Sequence, residues 1–175
     1  MNRIIRKAGA AALLLSALLL PSCSKEEYAP MEATNESCEI AVECIGADGR
    51  SLLTDRNFVD GISVEGAGSH SKLAFDVRQS GGHHYILFKA ERPDRNEMRW
   101  TQDRREANGI SKITLHIRKE KIELKCGLRF VANRPPAAAG GTLTVEEVTY
   151  RNRTVSRADG RVTVTLHIDR NGKIS

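Results

Sequence analysis

The sequence predicts an all-β fold, an antiparallel β-sandwich of about seven to nine strands, immunoglobulin-like or transthyretin-like in layout. Three observations predict it. Apolar residues recur at every second position in Cys38-x-Ile40-x-Val42-x-Cys44, Ile113-x-Leu115-x-Ile117, Ile122-x-Leu124-x-Cys126-x-Leu128-x-Phe130 and Val162-x-Val164-x-Leu166-x-Ile168, and a period of two places each set on one face of a strand. Turn-forming residues punctuate these runs, among them Asp48-Gly49, Ser80-Gly81-Gly82, Arg151-Asn152-Arg153 and Asp159-Gly160. No stretch after residue 38 repeats its apolar residues at the helical 3.6.

The elements follow in order. Cys38 to Ile45 is a strand with one apolar face, turned by Asp48-Gly49. Gly61-Ile62-Ser63-Val64 is a short second strand. Leu73-x-Phe75-x-Val77 and Tyr85 to Phe88 form a hairpin through the Gly-rich connection. Asp94-x-x-Glu97 has the spacing of a helix cap, but only Met98 and Trp100 follow it as residues to bury. Ile113 to Ile117 and Ile122 to Phe130 form the next hairpin. Pro135 to Gly141 reads as a loop at one end of the sandwich, where binding loops often sit. Leu143-x-Val145 and Val148-x-Tyr150 change parity across Glu146-Glu147, which predicts a β-bulge. Val162 to Ile168 is the last strand. Ile122, Leu124, Cys126, Leu128 and Phe130 should share a core with Ile40, Val42, Val164 and Leu166, while Lys125, Arg129, Thr163 and Thr165 face water.

The first 37 residues read differently. Arg3, Arg6 and Lys7 precede a charge-free apolar run from Ala8 to Leu20, too short for the roughly 20 residues a membrane-spanning helix needs and suited to a signal peptide. It ends in Leu20-Pro21-Ser22-Cys23, which resembles the lipobox of bacterial lipoprotein precursors, although Pro21 departs from the usual residue there. The resemblance implies that residues 1–22 are removed and that the Cys23 thiol carries the acyl chains that anchor the protein to a membrane. Two or three chains hold stably where one does not. Ser24-Lys25-Glu26-Glu27 resembles the acidic signal that sends some lipoproteins to the outer surface of the outer membrane, the periplasmic face being the alternative. Residues 23–37 then form a lipidated cysteine and acidic tether, and residues 38–175 a single domain. The order Cys38-x-Ile40-x-Val42, Asp48-Gly49-x-x-Leu52-Leu53 and Val148-x-Tyr150-x-Asn152 is similar to a group of small bacterial surface lipoproteins of unknown function. That resemblance implies a sandwich and carries over no catalytic residue.

Charge and cysteines narrow the classes. The formal charge is +5, but three basic residues lie in the leader, leaving 24 basic against 22 acidic residues. No Lys/Arg stripe interleaved with aromatics remains, so a nucleic-acid partner is not expected. With Cys23 acylated, Cys38, Cys44 and Cys126 are left. Cys38 and Cys44 are too far apart along one strand to join, since six residues span roughly 20 Å and a disulfide needs Cα atoms within about 7 Å. Cys126 could pair with Cys38 or with Cys44 across the core, and three buried thiols is the alternative.

Chemistry-bearing motifs are sparse. There is no nucleophile elbow, HExxH, EF-hand or phosphate loop. His83 and His84 are adjacent and on a strand point to opposite faces. His116 and His167 fall on the solvent parity of their strands and would sit side by side if those strands were neighbours. No cofactor or metal site is expected. Trp100, in a charged stretch, is the one possible ligand platform, for a sugar ring or a partner's anchor residue; its alternative is a ring folded back on the sandwich edge. The expected function is a non-enzymatic, lipid-anchored binding module for a partner protein or glycan at the outer surface. A structural or accessory subunit of an envelope assembly is the alternative, and an enzyme of unrecognised type the third reading.

Overall fold

The structure is a computed structural model and describes residues 33–93, 97–134 and 137–175. Cys23, the leader and the acidic run after it lie outside the described residues, as do Asp94, Pro135 and Pro136. Twelve strands are present among the described residues. They are β1 (Asn35–Ser37), β2 (Glu39–Gly46), β3 (Ile62–Gly66), β4 (Lys72–Leu73), β5 (Phe75–Ser80), β6 (His83–Lys89), β7 (Arg99–Trp100), β8 (Glu106–Ile117), β9 (Glu120–Arg134), β10 (Ala137–Tyr150), β11 (Arg153–Ser156) and β12 (Val162–Ile168). The larger sheet has the order β1-β10-β9-β8-β3-β4, with β11 also on β10 and β7 also on β8; the smaller has the order β12-β2-β6-β5. This is the all-β, two-sheet architecture the alternation predicts.

The core lies where the period-two sets converge. Ile40, Val42, Cys44, Ile86, Phe88, Val162, Val164 and Leu166 of the smaller sheet are buried, as are Ile113, Leu115, Ile117, Ile122, Leu124, Cys126, Leu128 and Phe130 of the larger. The parity slip at Glu146-Glu147 is a register shift between Val145↔Leu128 and Glu147↔Gly127. Arg151 and Asn152 have φ of 43° and 63°, the left-handed pair that closes β10 onto β11.

Several expectations need correction, the first being the number of strands, twelve among the described residues and not about seven to nine. Pairing is not wholly antiparallel: β1 runs parallel to β10, and β12 parallel to β2. The tether does not extend to Ser37, because Asn35, Glu36 and Ser37 pair with Thr142, Leu143 and Thr144. The Arg157 guanidinium, itself packed at the surface, donates to the carbonyls of Ser37 and Val145 at 3.0 and 2.9 Å and also bonds the Ser37 hydroxyl and the Gly160 carbonyl. Four acceptors on one rigid fork lock this first strand to the sandwich. Leu73 and Phe75 do not share a strand: β4 belongs to the larger sheet and β5 to the smaller, so the chain changes sheets at Ala74. The loop expected at Pro135–Gly141 is strand from Ala137 onward.

Of the two alternatives for the cysteines the structure has the second: no bond joins Cys126 to Cys38 or Cys44, and all three are free, buried thiols. Cys38 lies where the chain leaves the larger sheet, and its S–H donates to the Leu143 carbonyl at 3.6 Å. Leu143 belongs to β10, which stands between β1 and the strand that carries Cys126. Burial pushes the thiols of Cys44 and Cys126 up to about 12 and that of Cys38 to about 11, so none is a ready thiolate.

Candidate functional site

β8 is flanked by β9 along its whole length, but its other side is shared. β3 pairs with Ile113–Ile117, and β7 with Asn108 and Ala107. Between them no described strand runs along Gly109-Ile110-Ser111. At this break the inward parity of β8 continues, but the residue types on its two faces are exchanged. Gly109 and Ser111 point inward, and Ile110 points out with 58% of its surface exposed, the highest of the large apolar residues among those described.

The exchange has a packing cause. Met98 is buried, and a Cβ on Gly109 would lie 2.2 Å from its sulfur and 3.1 Å from Pro93. Pro93 and Met98 therefore fill the inner side of the break at Gly109, and only a residue without a side chain fits above them. Ser111, opposite Cys126, is 5% exposed.

The outer side is a cleft of about 1260 Å³. Its lining includes Ile110, Gly127, Ala67 to Ser69, Arg99, and Glu146 and Glu147 at the bulge. Gly127 keeps the floor low: a Cβ there would meet the Glu147 side chain at 2.9 Å. Arg129 is clamped by Glu106 through Nε at 3.0 Å and a second nitrogen at 2.6 Å. This bidentate contact holds the Glu106 carboxyl below its usual range and raises the guanidinium. Arginine, lysine and glutamate all line the cleft, which suits a mixed-charge protein surface better than a polyanion.

Trp100 does not present an open platform. It is half-buried and packs edge-to-face on the fully buried Phe130, ring centres 5.6 Å apart at 74°. The folded-back alternative describes it. It sits beside Arg99, so it braces the cleft wall.

The histidines are separated. His116 and His167 belong to different sheets and do not meet. His116 and His70 each lie 3.4 Å from Glu65. His83 holds Glu43, 8% exposed on the outer face of β2, through Nδ1 at 2.6 Å, and Thr165 donates to the other oxygen at 3.2 Å. Among the described residues no group of three or more His, Cys, Asp or Glu side chains converges to hold a metal, and no helix is long and apolar enough to cross a membrane.

Sequence reasoning missed the cleft because it began this strand at Ile113, whereas β8 starts at Glu106. The available signal was Ile110, out of phase with Ile113, together with Gly127 inside a clean strand, a mark of close approach. No known family model, curated protein or solved structure matches the chain.

Proposed function

We propose that the chain is a lipid-anchored, non-enzymatic β-sandwich of the cell envelope that binds a partner protein through the cleft beside β8. The observation that carries this reading is Ile110: a large aliphatic residue exposed inside a cleft, at the break in a strand edge, where an apolar anchor from a partner would be desolvated. A glycan occupant has less support, because the aromatic ring it would stack on is packed against Phe130. Anchoring rests on the resemblance of Leu20 to Cys23 to a lipobox.

Two experiments test the proposal. Cells making the wild-type chain or Ile110→Asp are cross-linked, and the lipoprotein is recovered with its neighbours. A partner captured by wild type and lost with Ile110→Asp is expected; equal capture would remove the cleft from the proposal. Cys23→Ala should move the protein from the detergent phase to the aqueous phase and change its mass. Unchanged partitioning and mass would refute the anchor.

A further inference from the structure

Lys112, which lines the cleft, belongs to a pair whose second member, Lys125, lies just outside that lining. Lys112 of β8 stands directly opposite Lys125 of β9. The Lys112 carbonyl accepts from Ala67 N–H, on the side away from β9. The two lysines therefore form a non-hydrogen-bonded pair, the closer type, with Cα atoms roughly 4.5 Å apart. Like charges placed so are mutually destabilising. Both side chains are exposed, and neither has an ion-pair or hydrogen-bond partner among the described residues.

The nearby carboxylates are differently placed. Glu91 accepts from the Ser69 hydroxyl, Glu146 from Thr144, Glu106 holds Arg129, and Glu97 has a contact of its own. Glu147 lays its stem over Gly127. Glu91, Glu106 and Glu146 are engaged within the molecule, whereas Glu123, on the same face as Lys125, and the paired cations are not, among the described residues. Ile110 is two residues from Lys112 on the same face, roughly 6.6 Å away along the strand. Aliphatic and cationic contacts thus recur at the spacing of alternate residues in an extended chain.

We infer that the cleft takes an extended segment of a partner protein that carries a carboxylate two residues from an aliphatic side chain, the aliphatic group on Ile110 and the carboxylate between Lys112 and Lys125. This rests on the cleft being the protein-binding site proposed above and names what it binds. Recognition divides accordingly: Ile110 supplies desolvated apolar contact, and the lysines supply relief of their own repulsion when an anion enters.

The test pans random nonapeptides displayed on phage against the full-length chain in detergent micelles. Peptides with Asp or Glu two positions from Val, Ile or Leu should be enriched. The double variant Lys112→Glu, Lys125→Glu should lose that enrichment by about tenfold and select Lys or Arg at the same spacing instead. Arg78→Glu, on the exposed edge of the smaller sheet, should leave the selection unchanged. Enrichment of non-acidic peptides, or acidic enrichment that survives reversal of both lysines, would overturn the inference. If Ile110→Asp abolishes such a selection, the cleft stands as a protein-binding site and only its acidic occupant falls. A selection indifferent to Ile110 and to both lysines would overturn both.

Discussion

The two halves of β8 obey opposite rules. From Ile113 to Ile117 the strand has neighbours on both sides, its apolar side chains face inward, and Ile113, Leu115 and Ile117 are buried. From Gly109 to Ser111 it lacks a described strand partner along one side, its inward positions are Gly109 and Ser111, and its aliphatic residue faces out. The backbone and the β9 partner are continuous across both, so the difference comes from what covers each face. Beneath the first half lies the opposite sheet. Beneath Gly109 lie Pro93 and Met98, which leave no room for a side chain there, and Ile110 at the next position faces out. A strand can thus be core at one end and recognition surface at the other without any change of register.

Four measurements would sharpen or break this contrast. The largest effect belongs to the closed half: Leu115→Ala should cost about 2–5 kcal/mol in urea unfolding, through lost transfer energy and a residual cavity. The next tests whether the inner side of the open half is full. Gly109→Ala should destabilise by about 1–3 kcal/mol, because the added methyl must displace the Met98 sulfur. A neutral result would show that the segment beneath is loose. Third, Cys126 pairs with Ser111 in this half. Its thiol, raised to about 12 chiefly by burial, stays protonated in the fold while the unfolded chain ionises near 9.0. Stability from such a group is complete below pH 9 and is lost as pH climbs towards 12. At pH 10.5 each buried thiol should cost on the order of 1–2 kcal/mol, and Cys126→Val should flatten its share of the decline between pH 9 and 10.5. An unchanged slope would mean that water reaches the inner face. The smallest effect should be Ile110→Asp, within about 0.5 kcal/mol of wild type in the same melts, although partner capture is lost.

Legibility in the sequence followed covering, residue by residue. Where one face of a strand meets the opposite sheet and the other meets water, as in Val162 to Ile168 or Ile122 to Phe130, period-two alternation reports burial faithfully. It fails where an irregular segment replaces the opposite sheet. Gly109 is small because of Met98, a contact between residues whose proximity depends on the whole topology. Asn35 to Ser37 read as tether because their pairing with β10 is made by backbone groups and by Arg157, 120 residues on. Leu73 and Phe75 share a parity, yet nothing local shows that the chain changes sheets at Ala74. The bulge at Glu146-Glu147 was readable because a bulge alters parity within a single strand. The cleft was not, since a broken edge is a relation among β3, β7 and β8.

The lock on β1 has a mechanical consequence. A chain held to a membrane at its amino end and to a partner at the cleft would carry tension between those points. In the larger sheet the strands from one point to the other are β1, β10, β9 and β8, each beside the next. The load would enter at β1, where Arg157 ties Ser37 to Val145 and Gly160, and cross three ladders side by side. Pulled along their length, such ladders slide as units and resist together, whereas a peeled edge yields one bond at a time. The smaller sheet lies outside this path and could loosen without releasing either end.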